Sequence, residues 1–181
     1  IEQRFDYERG ATVITDALGR TTRYHYRGRQ RAPGQVWSGI THPDGSSERF
    51  EHDPFGQLTG ITDALGRATG YSLDGEGRVA EISGPDGART RIAYHDPSGE
   101  PAQITDPLGH SRKLDYDARG NLIEEIDEAG YISAWFYDDP ALPDRPTRIR
   151  DARGGIKQLA WNRAGQLTSH TDCSNRTTRF D

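Results

Sequence analysis

Six aspartates, Asp16, Asp63, Asp106, Asp127, Asp151 and Asp172, recur along this 181-residue chain, each followed three residues later by Gly or, at Asn175, by Asn. Carboxylates repeated at a fixed spacing can line up oxygen ligands for calcium. No repeat, however, supplies the dense Asp and Gly spacing of a calcium-binding solenoid. The same residues read better as turn formers, because an Asp side chain bonds the backbone two residues on and Gly accepts a positive φ. A second pattern interleaves aromatics with Arg20, Arg23, Arg49, Arg67, Arg89, Arg91, Arg112, Arg176 and Arg179. Basic and aromatic residues in alternation can form a platform for single-stranded nucleic acid. With 23 Lys and Arg against 28 Asp and Glu, a net charge of −5, the chain argues against that partner. A solvated strand face on which Arg and neighbouring Asp neutralise one another accounts for the pattern.

Little else in the sequence suggests chemistry. His25, His42, His52, His95, His110 and His170 lack metal-ligand spacing, and no Ser, His and Asp set, Cys and His pair or phosphate-cradling glycine loop is present. No catalytic, cofactor-binding or metal-binding residue is therefore expected, and the chain reads as non-enzymatic. The single cysteine, Cys173, excludes an internal disulfide. There is no apolar run near the ~18 residues of a membrane span. The chain contains no Met, which suggests an internal or processed piece of a longer polypeptide.

The elements that hold these residues are set by a repeat. The phrase Asp-Ala-Leu-Gly-Arg at 16–20 returns at 63–67, and weaker copies register on Gly19, Gly45, Gly66, Gly87, Gly109, Gly130, Gly154 and Asn175, at intervals of 26, 21, 21, 22, 21, 24 and 21. A period near 21 residues marks one supersecondary unit stacked many times. Five and seven residues after each registered position stand large side chains: Tyr24 and Tyr26, Phe50 and His52, Tyr71 and Leu73, Ile92 and Tyr94, Leu114 and Tyr116, Trp135 and Tyr137, Leu159 and Trp161. Spacing by two predicts half-buried strands.

A second turn follows each such strand, as in Asp53-Pro-Phe-Gly56, Asp74-Gly-Glu-Gly77, Asp96-Pro-Ser-Gly99, Asp117-Ala-Arg-Gly120 and Asn162-Arg-Ala-Gly165. A shorter apolar segment comes next: Leu58 with Ile61, Val79 with Ile82, Leu122 with Ile126, and a bare Ile104 and Ile149. Each repeat is thus a two-stranded hairpin, and the expected fold is all-β, an antiparallel meander of about seventeen short strands. A ribbon that wide, roughly 80 Å at ~4.8 Å per strand, accumulates twist and must coil, curl or close. Longer hairpin-end loops are predicted around Arg27 to Gly34 and at Asp139 to Asp144, where Pro140, Pro143 and Pro146 break the pattern. Residues 1–181 form one array of about eight hairpins that starts and stops inside a repeat, so its expected neighbour is more of the same polypeptide.

The unit Leu114-Asp-Tyr-Asp-Ala-Arg-Gly-Asn-Leu122, with Tyr116-Asp117 followed by Gly120-Asn121-Leu122, resembles the tyrosine–aspartate (YD) repeats of Rhs proteins, and Ile61 to Tyr71 resembles them too. Departures occur where Gly84 replaces the turn Asp, Asn175 the turn Gly, and Asp144-Arg-Pro146 the Gly-x-Leu. The resemblance implies a ribbon spiralling into a hollow shell, as in bacterial Rhs effectors, insecticidal toxin-complex subunits and teneurins. It further implies that such a shell sequesters a C-terminal toxin until delivery, often by type VI secretion. The partners would be that toxin, the remaining repeats and a secretion apparatus or chaperone, in an effector that is cytoplasmic before export. Any toxin or autoprotease activity would lie outside this segment. Rhs-type proteins are cleaved at an Asp-Pro-x-Gly-Leu core motif, but Asp106-Pro-Leu-Gly109 is followed by His110 and stands in register with Asp63-Ala-Leu-Gly66, so it reads as a repeat turn. The alternative is a cell-surface YD-repeat module for glycans or another surface protein, with Trp37, Trp135 and Trp161 as exposed stacking platforms.

Overall fold

The computed structural model describes residues 3–28, 35–96 and 98–180. The predicted loop at Arg27 to Gly34 lies, from 29 onward, outside the described residues, as does Pro97 of the Asp96 to Gly99 turn. Every described element is a strand. The chain divides into two compact units, 1–90 and 91–181.

The first unit holds β1 (Arg4–Glu8), β2 (Ala11–Thr15), β3 (Thr21–Arg27), β4 (Val36–Thr41), β5 (Ser47–His52), β6 (Leu58–Thr62), β7 (Ala68–Leu73) and β8 (Val79–Ser83). Each pairs antiparallel with the next. The unit boundary falls within β9 (Arg89–Tyr94). The second unit continues with β10 (Pro101–Thr105), β11 (Ser111–Tyr116), β12 (Leu122–Ile126), β13 (Ile132–Phe136), β14 (Arg148–Arg150), β15 (Ile156–Trp161), β16 (Leu167–Thr171) and β17 (Thr177–Arg179). Its strands pair in the same consecutive way. The described residues form the expected all-β antiparallel meander, with seventeen strands.

Period-two patterning sets the exposure. In β5 and β9 every second residue is exposed, and Phe50, His52, Ile92 and Tyr94 lie on the more protected face. Even there the core is thin: among the described residues only Ala11, Thr12, Val13, Gly39, Gly60 and Ala134 are buried. A low apolar content therefore matches a sheet that shields side chains by neighbouring strands without filling a volume between layers.

A recurring β-bulge explains the spacing of the shorter apolar segment. Pairing shifts register between Glu51 and His52, Ser72 and Leu73, Asp115 and Tyr116, and Ala160 and Trp161, so that two residues on the following strand face one. The extra residue (Thr59, Ala80, Ile123 or Thr168) puts residues three apart on the same face, which is why Leu58 and Ile61 lie opposite His52 and Phe50. The same bulge separates another pair. Leu122 and Ile126, four apart, fall on opposite faces; Glu125 takes the place opposite Leu114, and Ile126 faces Lys113.

Candidate functional site

The element that recurs with chemistry attached is the turn. In the Asp63 turn, the Asp63 N–H donates to Arg67 O at 3.0 Å and the Gly66 N–H donates to Asp63 O at 2.9 Å. Gly66 sits at φ +79°, so the connection is a three-residue loop closed by a left-handed residue. The carboxylate completes it: Oδ1 accepts the amides of Leu65 and Arg67, both at 2.9 Å, and Oδ2 accepts Arg67 Nε at 2.7 Å. All six aspartates considered above as calcium ligands accept two backbone amides in this manner. Asp53, Asp74, Asp117 and Asn162 do the same in the second turn of their repeats. Oxygens committed to N–H donors are oriented for capping a turn, and among the described residues no three His, Cys, Asp or Glu side chains converge on one point.

A feature not singled out in the sequence is the residue after the turn Gly or Asn175. Arg20, Arg67, Arg78 and Arg176 each place Nε on the second oxygen of their aspartate, and His110 and Asn121 do so with Nδ1 and Nδ2. The signal was present, since this position is so often a side-chain donor. The Arg20 side chain holds Asp16 below the ordinary carboxyl value of 3.8, and the His110 side chain holds Asp106 below it. The Arg67 and Arg176 backbone amides lead the same effect at Asp63 and Asp172, and the Asn121 side chain does so at Asp117.

Departures from the repeat are compensated locally. Where Gly84 and His42 open the turn, the carboxylate moves two positions on: Asp86 accepts the Ala88 amide and Asp44 the Ser46 amide, both at 3.0 Å. Asn175 adopts φ +60° in place of Gly. The β9–β10 turn departs from the predicted Asp96 opening, because its backbone closes one residue earlier, with His95 N–H donating to Glu100 O at 2.8 Å. Asp106 to Gly109 forms the same turn as Asp63 to Gly66, as its register suggested.

The arginines divide between two arrangements. Some pair within their turn, as above. Others reach across strands to glutamate where aspartate was expected: Arg23 to Glu8 at 3.0 Å, Arg89 to Glu81 at 2.8 Å and Arg112 to Glu125 at 3.2 Å. Arg89 and Arg112 reach the adjacent strand and Arg23 reaches across β2 to β1, spans for which glutamate has an extra methylene, whereas the turn aspartates are already used. Among the described residues Arg49 and Arg179 form no ion pair. Five of the histidines make side-chain contacts, among them His42 with Glu48 at 3.0 Å and His170 stacked on Phe180 at 5.9 Å.

Of the three tryptophans, only Trp37 is exposed, at 50%. The rings of Tyr24 and Tyr26 meet it edge-on at 5.4 and 6.0 Å. Trp135 and Trp161 are half-buried. Trp161 is also occupied: its indole N–H donates to Pro146 O at 2.8 Å and the Arg145 guanidinium lies 5.6 Å from its ring centre.

These turns and strands have close counterparts in known proteins. Toxin protein Tse5 of Pseudomonas aeruginosa is 39% identical over 179 residues, which is 99% of this chain and 13% of Tse5. Double-stranded DNA deaminase toxin A of Burkholderia cenocepacia is 50% identical over 44 residues, 24% of this chain and 3% of that protein. The chain thus spans a small part of the curated relatives it matches. Among solved structures, TcdB2-TccC3-TEV superposes on 94% of the chain, with a TM-score of 0.67 at 14% identity over 10% of its own length. The Photorhabdus luminescens Tc holotoxin pore superposes on 97%, with a TM-score of 0.63 at 13% identity over 12% of its own length. These two share the fold. The RHS Repeat family pattern matches five overlapping stretches, 34–68, 52–91, 74–112, 95–132 and 116–156, and the chain belongs to the RHS repeat family.

Proposed function

We propose that this chain is a wall segment of the hollow β-shell of a bacterial Rhs-type effector, which encloses a C-terminal toxin until delivery. The observation that carries this reading is the same capped turn closing hairpin after hairpin over a core of so few buried side chains. Such a ribbon is built to extend and surround, since each repeat needs only its neighbours. Similarity to Tse5 over nearly the whole chain, and the fold shared with TcdB2-TccC3, support the same conclusion.

On this reading the segment has no chemistry of its own. Its partners are the remaining repeats, the enclosed toxin and a secretion apparatus or chaperone. The protein is made in the bacterial cytoplasm and leaves it by type VI secretion. Protease challenge of the full polypeptide tests enclosure. The C-terminal region should survive protease while the wall is intact and be degraded once urea opens it. Degradation at the same rate in both conditions would refute the proposal.

A further inference from the structure

Among the described residues, the connection between β13 and β14 differs from the short capped turns. It joins Phe136 to a strand of only three residues, Arg148–Arg150. Two consecutive turns shape it, with Leu142 N–H donating to Asp139 O at 3.1 Å and Arg145 N–H to Leu142 O at 3.0 Å. Pro140, Pro143 and Pro146 restrict its backbone further. Its base is pinned by Thr147, whose N–H donates to Phe136 O at 2.7 Å. Asp138 gathers Thr147 Oγ1 and Arg148 Nε at 2.7 and 3.0 Å.

From this base the loop engages the hairpin ends on either side. Toward β12, Asn121 Nδ2 donates to Pro143 O at 3.0 Å, while the same amide caps Asp117 at 2.9 Å, and Tyr137 OH donates to Leu122 O at 3.0 Å. Toward β15, the Trp161 indole donates to Pro146 O, and Arg145 covers the Trp161 ring. Arg145 Nε also lies 3.3 Å from where a Cβ on Gly165 would stand, which places the guanidinium against the Asn162–Gln166 turn.

We infer that residues 137–147 are a rigid clasp coupling the Asp117–Asn121 turn to the Asn162–Gln166 turn, so that β11 to β16 behave as one plate. Asn121 adjoins β12 and Trp161 ends β15, three strand spacings or ~14 Å apart, too far for their side chains to meet. The proline-restricted loop bonds to both. A perturbation at one turn must therefore reach the other through the loop. Independent hairpin ends, by contrast, respond separately, as sites beyond ~7–10 Å normally do.

Amide hydrogen exchange on the whole chain tests the clasp. Asn121→Ala should speed exchange at Ala164 and Gln166 by about five-fold, the effect of losing roughly one hydrogen bond's worth of local stability. The Asp63–Arg67 turn should be unchanged. Pro143→Gly, which softens the loop and keeps the carbonyl, should speed exchange at both the 117–121 and 162–166 turns. Acceleration confined to 117–121, no acceleration at either turn, or a uniform rise that includes the Asp63–Arg67 turn would overturn the clasp.

Discussion

Replacing Gly66 by alanine isolates the backbone demand of the repeat turn. Gly66 holds φ at +79°, and a Cβ built on it meets nothing within 4 Å, so no contact is lost or gained. What remains is the cost of an L-residue in the left-handed region, ~1–2 kcal/mol. Reduced freedom of the unfolded chain offsets ~0.4–1 kcal/mol of it. The net loss is about 1 kcal/mol, or a fall of roughly 2–4 °C in Tm for a chain of this size. Gly66→Asn should fall between wild type and alanine, because Asn175 occupies the equivalent position at φ +60°. Asn175→Gly should raise Tm. Thermal melts followed by circular dichroism decide the matter, with urea midpoints as a second probe. A Gly66→Ala protein that melts at or above wild type would refute the turn assignment, since alanine stabilises a position whose φ is negative.

Gly39 fails for a different reason, since a Cβ there would stand 2.5 Å from the Glu48 backbone carbonyl oxygen. Gly39→Ala should cost more than Gly66→Ala, on the order of 1–3 kcal/mol for overpacking, and an equal or smaller loss of Tm would contradict the close β4–β5 approach. At the first turn position, Asp63→Asn should keep most of the stability that Asp63→Ala loses. Asn162 already serves there, accepting the Ala164 and Gln166 amides at 2.9 and 3.0 Å. Identical melts for the two variants would show that the cap is idle. Asp16, Asp63, Asp106, Asp117 and Asp172 are all held below 3.8. Their contribution is therefore fully present above that value and is lost as pH falls through their depressed folded-state values. Melts from pH 6 down to 2 should show Tm falling below about pH 4, as carboxylates protonate, and the fall should be smaller in Asp63→Asn.

Much of this architecture is legible in sequence because turn chemistry is local. Asp and Gly three apart favour a capped turn from their own backbone, so most turn positions, the strand count and the Asp106 turn followed directly, with the His95-opened turn before Glu100 the exception. Most places where the sequence misleads involve partners outside the local unit. The spacing of three between Leu58 and Ile61 encodes a bulge, but only pairing with β5 reveals it. Leu122 and Ile126 look equivalent to the other pairs until Glu125 is seen opposite Leu114. Trp161 reads as an exposed aromatic because its acceptor, Pro146 O, belongs to a preceding loop. Gly84 looks like a lost cap, whereas Asp86 supplies a carboxylate from within the same turn.

The central claim is that this repeat array walls in a cargo. Electron cryomicroscopy of the full polypeptide tests it most directly. A closed hollow particle is expected, with this chain traced in its wall and density for the C-terminal region inside. An open sheet or filament, or a C-terminal region lying outside the repeats, would contradict it.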